Sequence, residues 1–255
     1  MQACELDAKD MAAIANSRGF KSTQLLTKQA TRDAVLKGIG AAARSLAGGD
    51  IFFLSYSGHG GQLPDQNGDE PDGLDETWCL FDGELVDDEL NDQLANFKSG
   101  VRILVLSDSC HSGTVLKMAL MAAPETKAKG TVYRAMPGEV AQRTYLAHQK
   151  FYDKILKNPK LANAEDRVKA SATLISGCQD NQLSSDGTFN GLFTGTLKTV
   201  WNGGKFKGNY EQFHHAIAVK MPSDQTPNLF KVGAPNPKFD DQVPFAIEDG
   251  RAKSR

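Results

Sequence analysis

The sequence predicts an α/β protein with a mostly parallel central sheet flanked by helices in a three-layer sandwich. Two short runs, 50–56 and 101–107, are apolar on both parities of the strand repeat and edged by Gly or Ser, as in strands covered on both faces. Helical patterns precede and separate them, which supplies the crossovers that parallel neighbours require. At 255 residues, 40% of them hydrophobic, the chain can bury one substantial core in a single catalytic domain.

Taken in order, apolar residues recur at three- and four-residue spacing over Cys4 to Ser17, Thr31 to Ala47 and Asp87 to Phe97, so each reads as a helix. Ser171 to Ser176 reads as a further strand. Gly191 to Trp201 reads as a helix stopped by Asn202-Gly203-Gly204, where glycine supplies a left-handed turn, and Tyr210 to Met221 as a last helix. Segment 115–170 is rich in Ala and Lys, with Pro124, Pro137 and Pro159 interrupting weak helical pattern, and reads as a linker carrying exposed basic side chains. After Gly233, three prolines and little periodicity predict an extended surface tail, 234–255.

The balance of 29 Lys+Arg against 31 Asp+Glu leaves a net charge of -2 and gives no electrostatic case for nucleic acid or an anionic membrane surface. The longest apolar runs fall far short of the roughly 20 residues of a membrane helix. Four cysteines lie far apart with no C-x-x-C pair, which favours free thiols in a reducing, cytoplasmic compartment over disulfides or zinc.

Both strands end in reactive residues. The first runs into Ser57-Gly58-His59-Gly60-Gly61 and the second into Asp108-Ser109-Cys110-His111-Ser112-Gly113. Carboxyl ends of parallel strands are where clefts form, so neighbouring strands deliver an imidazole and a thiol to one cleft. The thiolate is the nucleophile, and the imidazole takes its proton and returns it to the leaving amine. The other histidines (His111, His148, His214, His215) are assigned structural roles, and Trp78 and Trp201 core or cleft-wall positions.

Tyr56-Ser57-Gly58-His59-Gly60 and Asp108-Ser109-Cys110-His111-Ser112-Gly113 resemble the two active-site signatures of the metacaspases and orthocaspases, type I-like cysteine peptidases of family C14. The resemblance extends to Leu174-Ile175-Ser176-Gly177-Cys178-Gln179-Asp180 and Gly191-Leu192-Phe193-Thr194, and so spans about Gln2 to Gly233. It implies the caspase-hemoglobinase fold, with 1–114 as a p20-like catalytic region holding His59 and Cys110, 115–170 as linker and 171–233 as a p10-like region. It also implies peptide or protein substrates cut after Arg or Lys. Asp7 and Asp108 then form the acidic pocket for the residue before the cut, P1, with Ser57 as a pocket hydroxyl and the backbone amides of Gly60 and Cys110 facing the oxyanion. The exposed basic residues of the linker, including Lys127, Lys129, Arg134, Arg143 and Lys150, invite self-cleavage.

Between the signatures lies an acidic loop, 65–76, rich in the hard oxygen ligands that Ca²⁺ prefers. Glu70 stands where an EF-hand needs its turn glycine and Pro71 follows, which argues against that motif. In many type I metacaspases Ca²⁺ activates through aspartates that match Asp75, Asp87 and Asp88, while the fourth falls on Lys117. The family's opening central strand is missing from this chain, so the expectation is a truncated piece or a strand supplied by another chain or by the tail. A different class of function is a catalytically silent caspase-like interaction module.

Overall fold

A computed structural model describes residues 3–68, 70, 73–109, 132–178, 185–186 and 190–247. Cys110, His111, Lys117, Lys127 and Lys129 lie outside the described residues.

The central sheet contains β1 (Ile51–Ser57), β5 (Arg102–Asp108), β7 (Ser171–Ser176) and β9 (Asn228–Gly233), in the order β1-β5-β7-β9. The first three run parallel and β9 closes the sheet antiparallel to β7. A strand's side chains alternate between faces, and β5 shows this directly. Leu104 and Leu106 join one apolar cluster with Met11, Phe193, Trp201 and Phe213. Ile103 and Val105 join another with Ile39, Ala43, Leu94 and Phe97. Helix α1 (Ala3–Ser17), α6 (Leu192–Trp201) and α7 (Tyr210–Ala218) thus cover one face, and α2 (Arg32–Ser45) and α3 (Asp87–Ala95) the other. Each fully buried Leu, Ile or Phe in these layers contributes about 1.5–3 kcal/mol of transfer free energy.

The predicted helices and strands form where local signals are strong. Thr31 caps α2, its hydroxyl accepting from the Ala34 amide at 3.2 Å. Asn202 at the end of α6 is left-handed (φ 47°), followed by Gly203 (φ 60°) and Gly204 (φ 89°), which is the expected stop.

Three expectations are corrected. The described part of the linker is not a loose connection: α4 (Gly138–Ala147) and α5 (Gln149–Leu156) follow one another, and Tyr152 and Leu156 of α5 pack with Leu63 and Val86. Those partners belong to a second sheet absent from the sequence reading, formed by β2 (Gly60–Pro64), β3 (Leu74–Leu80) and β4 (Gly83–Val86) in antiparallel order. The tail, expected as an extended surface segment, is not one either. It forms α8 (Pro237–Asp240), and Phe239 and Phe245 are buried in the main core. Buried Arg102 fastens it by donating to Gln242 Oε1 and the Ile247 carbonyl, both at 2.5 Å. Arg134, expected on the exposed linker, is fully buried.

A two-stranded ribbon pairs β6 (Val132–Tyr133) with β8 (Ser185–Asp186). Among the described residues, no strand pairs with the outer side of β1, and no helix is long and apolar enough to cross a membrane.

Candidate active site

Strands β1 and β5 pair in a register that sets Ser57 directly beside Asp108. His59 therefore follows one strand end by two residues, as Cys110 follows the other. The backbone at His59 is tightly held. Its carbonyl accepts from the Cys79 amide at 2.9 Å and the Tyr56 hydroxyl at 2.7 Å. Tyr56 stacks on Trp78 with centroids 4.5 Å apart, and Trp78 Nε1 donates to Ser107 Oγ at 3.1 Å, tying this turn to the end of β5. Burial, reinforced by the neighbouring Cys79, pushes the Tyr56 phenol well above its usual pKa, so it stays protonated and able to donate.

Asp7 and Asp108 lie together in a narrow recess between α1, the strand ends and the start of α6. They are 0% and 2% exposed, far below what an isolated carboxylate tolerates without partners. Asp7 Oδ2 accepts from Ser57 Oγ at 2.7 Å, and Asp7 Oδ1 from Asn190 Nδ2 at 2.8 Å and the Gly191 amide at 3.1 Å. Asp108 Oδ2 accepts from the Thr194 amide at 3.1 Å and hydroxyl at 2.6 Å. Both acids thus face the amino end of α6, where free N–H groups and the helix dipole favour negative charge.

The recess holds the Arg134 guanidinium. Nη2 reaches Asp7 Oδ2 at 2.6 Å, while Nη1 reaches Asp108 Oδ1 at 3.0 Å and Ser57 Oγ at 2.7 Å. Burial works against the guanidinium's charge, but Asp108, Cys4 and Asp7 outweigh it and raise its pKa. Space for this group depends on Gly191. A Cβ there would stand 2.5 Å from both Arg134 Cζ and Asp108 Oδ2, closer than atoms can pack. The backbone of Arg134 also enters the site: the Gly60 amide donates to its carbonyl at 2.9 Å, and the Met136 amide donates to the Gly60 carbonyl at 2.8 Å.

The sequence reading named Asp7, Ser57, Asp108, His59 and Gly60, and these gather at one sheet edge; Cys110 is outside the described residues. It did not identify Asn190, Gly191 and Thr194 as pocket residues. The sequence signal was the Gly191-to-Thr194 segment, which lacked a role until α6 was seen to point its first turn at the acids.

A second acidic group lies at the junction of the 65–76 loop and α3. Carboxylate oxygens of Glu70, Glu76 and Asp87 lie within 4.8 Å of one another. Asp75 and Asp88 are not part of this set: Asp75 is buried on β3 and Asp88 Oδ2 accepts from Asn67 Nδ2 at 2.8 Å. Burial, then Glu76, Asp88, Asp75 and Glu70, raise the Asp87 pKa well above the carboxylate range. Several oxygen donors whose charges oppose one another suit a hard divalent cation.

Residues 1–241 match the caspase domain of peptidase family C14, and the chain belongs to that family. It is 29% identical over 228 residues to Metacaspase-1A of Aspergillus terreus (77% of this chain, 56% of that protein) and 29% over 216 residues to Metacaspase-1 of Saccharomyces cerevisiae (72% and 50%). The chain spans about half the length of these relatives. The crystal structure of protein GSU0716 from Geobacter sulfurreducens is 60% identical and superposes with a TM-score of 0.87, covering 97% of this chain and 90% of that one.

Proposed function

We propose that this chain is a cysteine endopeptidase that cuts peptide bonds after Arg or Lys. The observation that carries the reading is a buried two-carboxylate recess, beside the His59 turn, in which each carboxylate pairs with one terminal nitrogen of a guanidinium while the Gly60 amide engages the same residue's carbonyl. Two carboxylates spaced to meet the two terminal nitrogens select a basic side chain by geometry and charge.

In this reading Cys110 attacks the carbonyl carbon of the bond after P1, with His59 receiving the thiol proton and passing it to the leaving amine. The developing oxyanion is stabilised by the Gly60 amide, supplied by backbone fixed through β2, with the Cys110 amide as second donor. Water then cleaves the thioester. Positioning of P1 by Asp7, Asp108 and Ser57 sets the scissile carbonyl over the nucleophile.

Ca²⁺ is proposed as an activator. Glu70, Glu76 and Asp87 would hold it, with Asp75 and Asp88 adding negative charge nearby. A bound cation would neutralise this cluster and brace the loop against α3; it takes no part in bond cleavage.

Fluorogenic peptides test the reading. Hydrolysis of an Arg-P1 peptide, none of an Asp-P1 peptide and none by Cys110→Ala is expected; equal rates for Cys110→Ala and wild type would reject it, and total inactivity would favour a silent interaction module. Equal rates with chelator and with added Ca²⁺ would reject the activator.

A further inference from the structure

Behind the acidic recess lies a second layer of charge that the peptide chemistry does not use. Asp10 stands one turn after Asp7 on α1, Lys198 stands on α6, and Asn190, just ahead of that helix, reaches between them. The Asn190 amide nitrogen donates to Asp7 Oδ1 and to Asp10 Oδ2, each at 2.8 Å. Lys198 Nζ donates to Asp10 Oδ2 at 2.5 Å and to Asn190 Oδ1 at 3.2 Å.

An asparagine side chain carries an acceptor on one arm and two N–H donors on the other, and a half-turn exchanges them. An ammonium only donates, so Lys198 takes the oxygen and leaves one N–H group for each carboxylate. The reversed amide would set its oxygen against both acids and its nitrogen against the ammonium. Lys198 and Asp10 have side chains 36% and 31% exposed, and an ion pair in that setting is worth little by itself. Its effect reaches a buried group through the amide. Asn190 and the Gly191 amide hold Asp7 Oδ1, which turns Oδ2 toward the guanidinium, where Arg134 Nη2 meets it at 2.6 Å.

We propose that Lys198 is a positioning residue for the P1 recess, acting through Asn190 to fix the Asp7 carboxylate and with it a preference for Arg over Lys. The inference rests on the peptidase reading and names what sets the selectivity of that site. A guanidinium meets Asp7 and Asp108 with separate terminal nitrogens, so rotation of either acid weakens its grip. An ammonium is a compact charge with rotatable donors and depends less on that alignment. Arg134 occupies the recess and either peptide must displace it, so its presence cancels when the two peptides are compared.

Wild type, Lys198→Met, Lys198→Arg, Asn190→Leu and the Lys198→Met, Asn190→Leu double variant are compared by kcat/KM on two fluorogenic peptides that differ only in Arg or Lys before the cut. Tm is measured alongside. Wild type is expected to favour Arg, and loss of a hydrogen bond to a buried carboxylate predicts a fall of about tenfold in the Arg:Lys ratio in Lys198→Met and in Asn190→Leu. Lys198→Arg, which also offers only donors, holds the ratio near the wild-type value. Adding Lys198→Met to Asn190→Leu brings no further fall, because the amide through which Lys198 acts is already gone. A ratio in Lys198→Met equal to that of wild type, even with a lowered Tm, overturns the proposal and leaves Lys198 as a clasp between helices; the peptidase reading then stands. Equal cutting of both peptides by wild type, a ratio that falls as far in Lys198→Arg as in Lys198→Met, or a second fall of equal size in the double variant overturns it as well. If wild type hydrolyses neither peptide, both readings fall.

Discussion

Asp108 is held by three kinds of partner at once, a guanidinium, a helix amide and a hydroxyl, all within 3.1 Å in a site closed to water. A carboxylate so desolvated interacts strongly with a cation, and losing one member of a buried pair costs about 3–5 kcal/mol. Asp108→Asn is therefore expected to lower kcat/KM for an Arg-P1 peptide by about two orders of magnitude or more, read as initial rates against substrate concentration. Gly191 acts by what it lacks. Gly191→Ala places a methyl 2.5 Å from the guanidinium carbon, and overpacking of about 1–3 kcal/mol raises KM for the same peptide about tenfold or more while the thiol's reactivity toward iodoacetamide is unchanged. These roles were only half legible. Asp108 and Asp7 could be named because one adjoins the nucleophile signature and both match a family pattern, but the burial of Arg134 depends on an acid 127 positions away and leaves no trace in its own surroundings.

Elements followed local signals more faithfully than segments without them. Helices α1, α2 and α3 and strands β1, β5 and β7 carry their own periodicity or apolar runs, so their positions were readable within a few residues. Strand β9 was missed because its side chains are only half buried, or exposed, on the sheet's edge, which leaves neither a continuous apolar run nor a clean alternation. The small sheet was missed because β2 and β4 are short and the acidic loop separates β2 from β3. In the tail, Phe245 is wholly buried against Phe53, Trp201 and Phe213, an arrangement that proline-rich flanks obscured. Phe245→Ala is expected to destabilise the fold by about 3–5 kcal/mol, against about 0.5 kcal/mol for a true surface tail. A shift in urea midpoint with unchanged m-value would measure it.

For the molecule as a whole, the carboxylate cluster around Asp87 adds one pH-dependent contribution to stability. The folded state raises the Asp87 pKa, so between the ordinary carboxylate range and that raised value the folded chain binds more protons than the unfolded one. Its contribution is complete at low pH and is lost as pH rises through the folded value. In chelator, wild-type Tm is expected to fall over this window, and Asp87→Asn to flatten that fall; parallel profiles for the two proteins would contradict the assignment. The layered α/β architecture was visible in the sequence because it follows from two buried strands and their crossovers. The way distant parts share one site was not, because it is a property of the closed fold.

That sharing governs what a break within the linker, 115–170, would do. Strands β5 and β7 lie on opposite sides of the break yet pair over six residues, Arg102 to Ser107 against Ser171 to Ser176, and the core beneath them draws Met11 and Leu104 from one side and Phe193 and Phe213 from the other. Two pieces on a denaturing gel would elute from a sizing column as one particle, clamped through their common sheet. The scissors and the acidic grip would then remain mounted on the same frame after the chain has been severed.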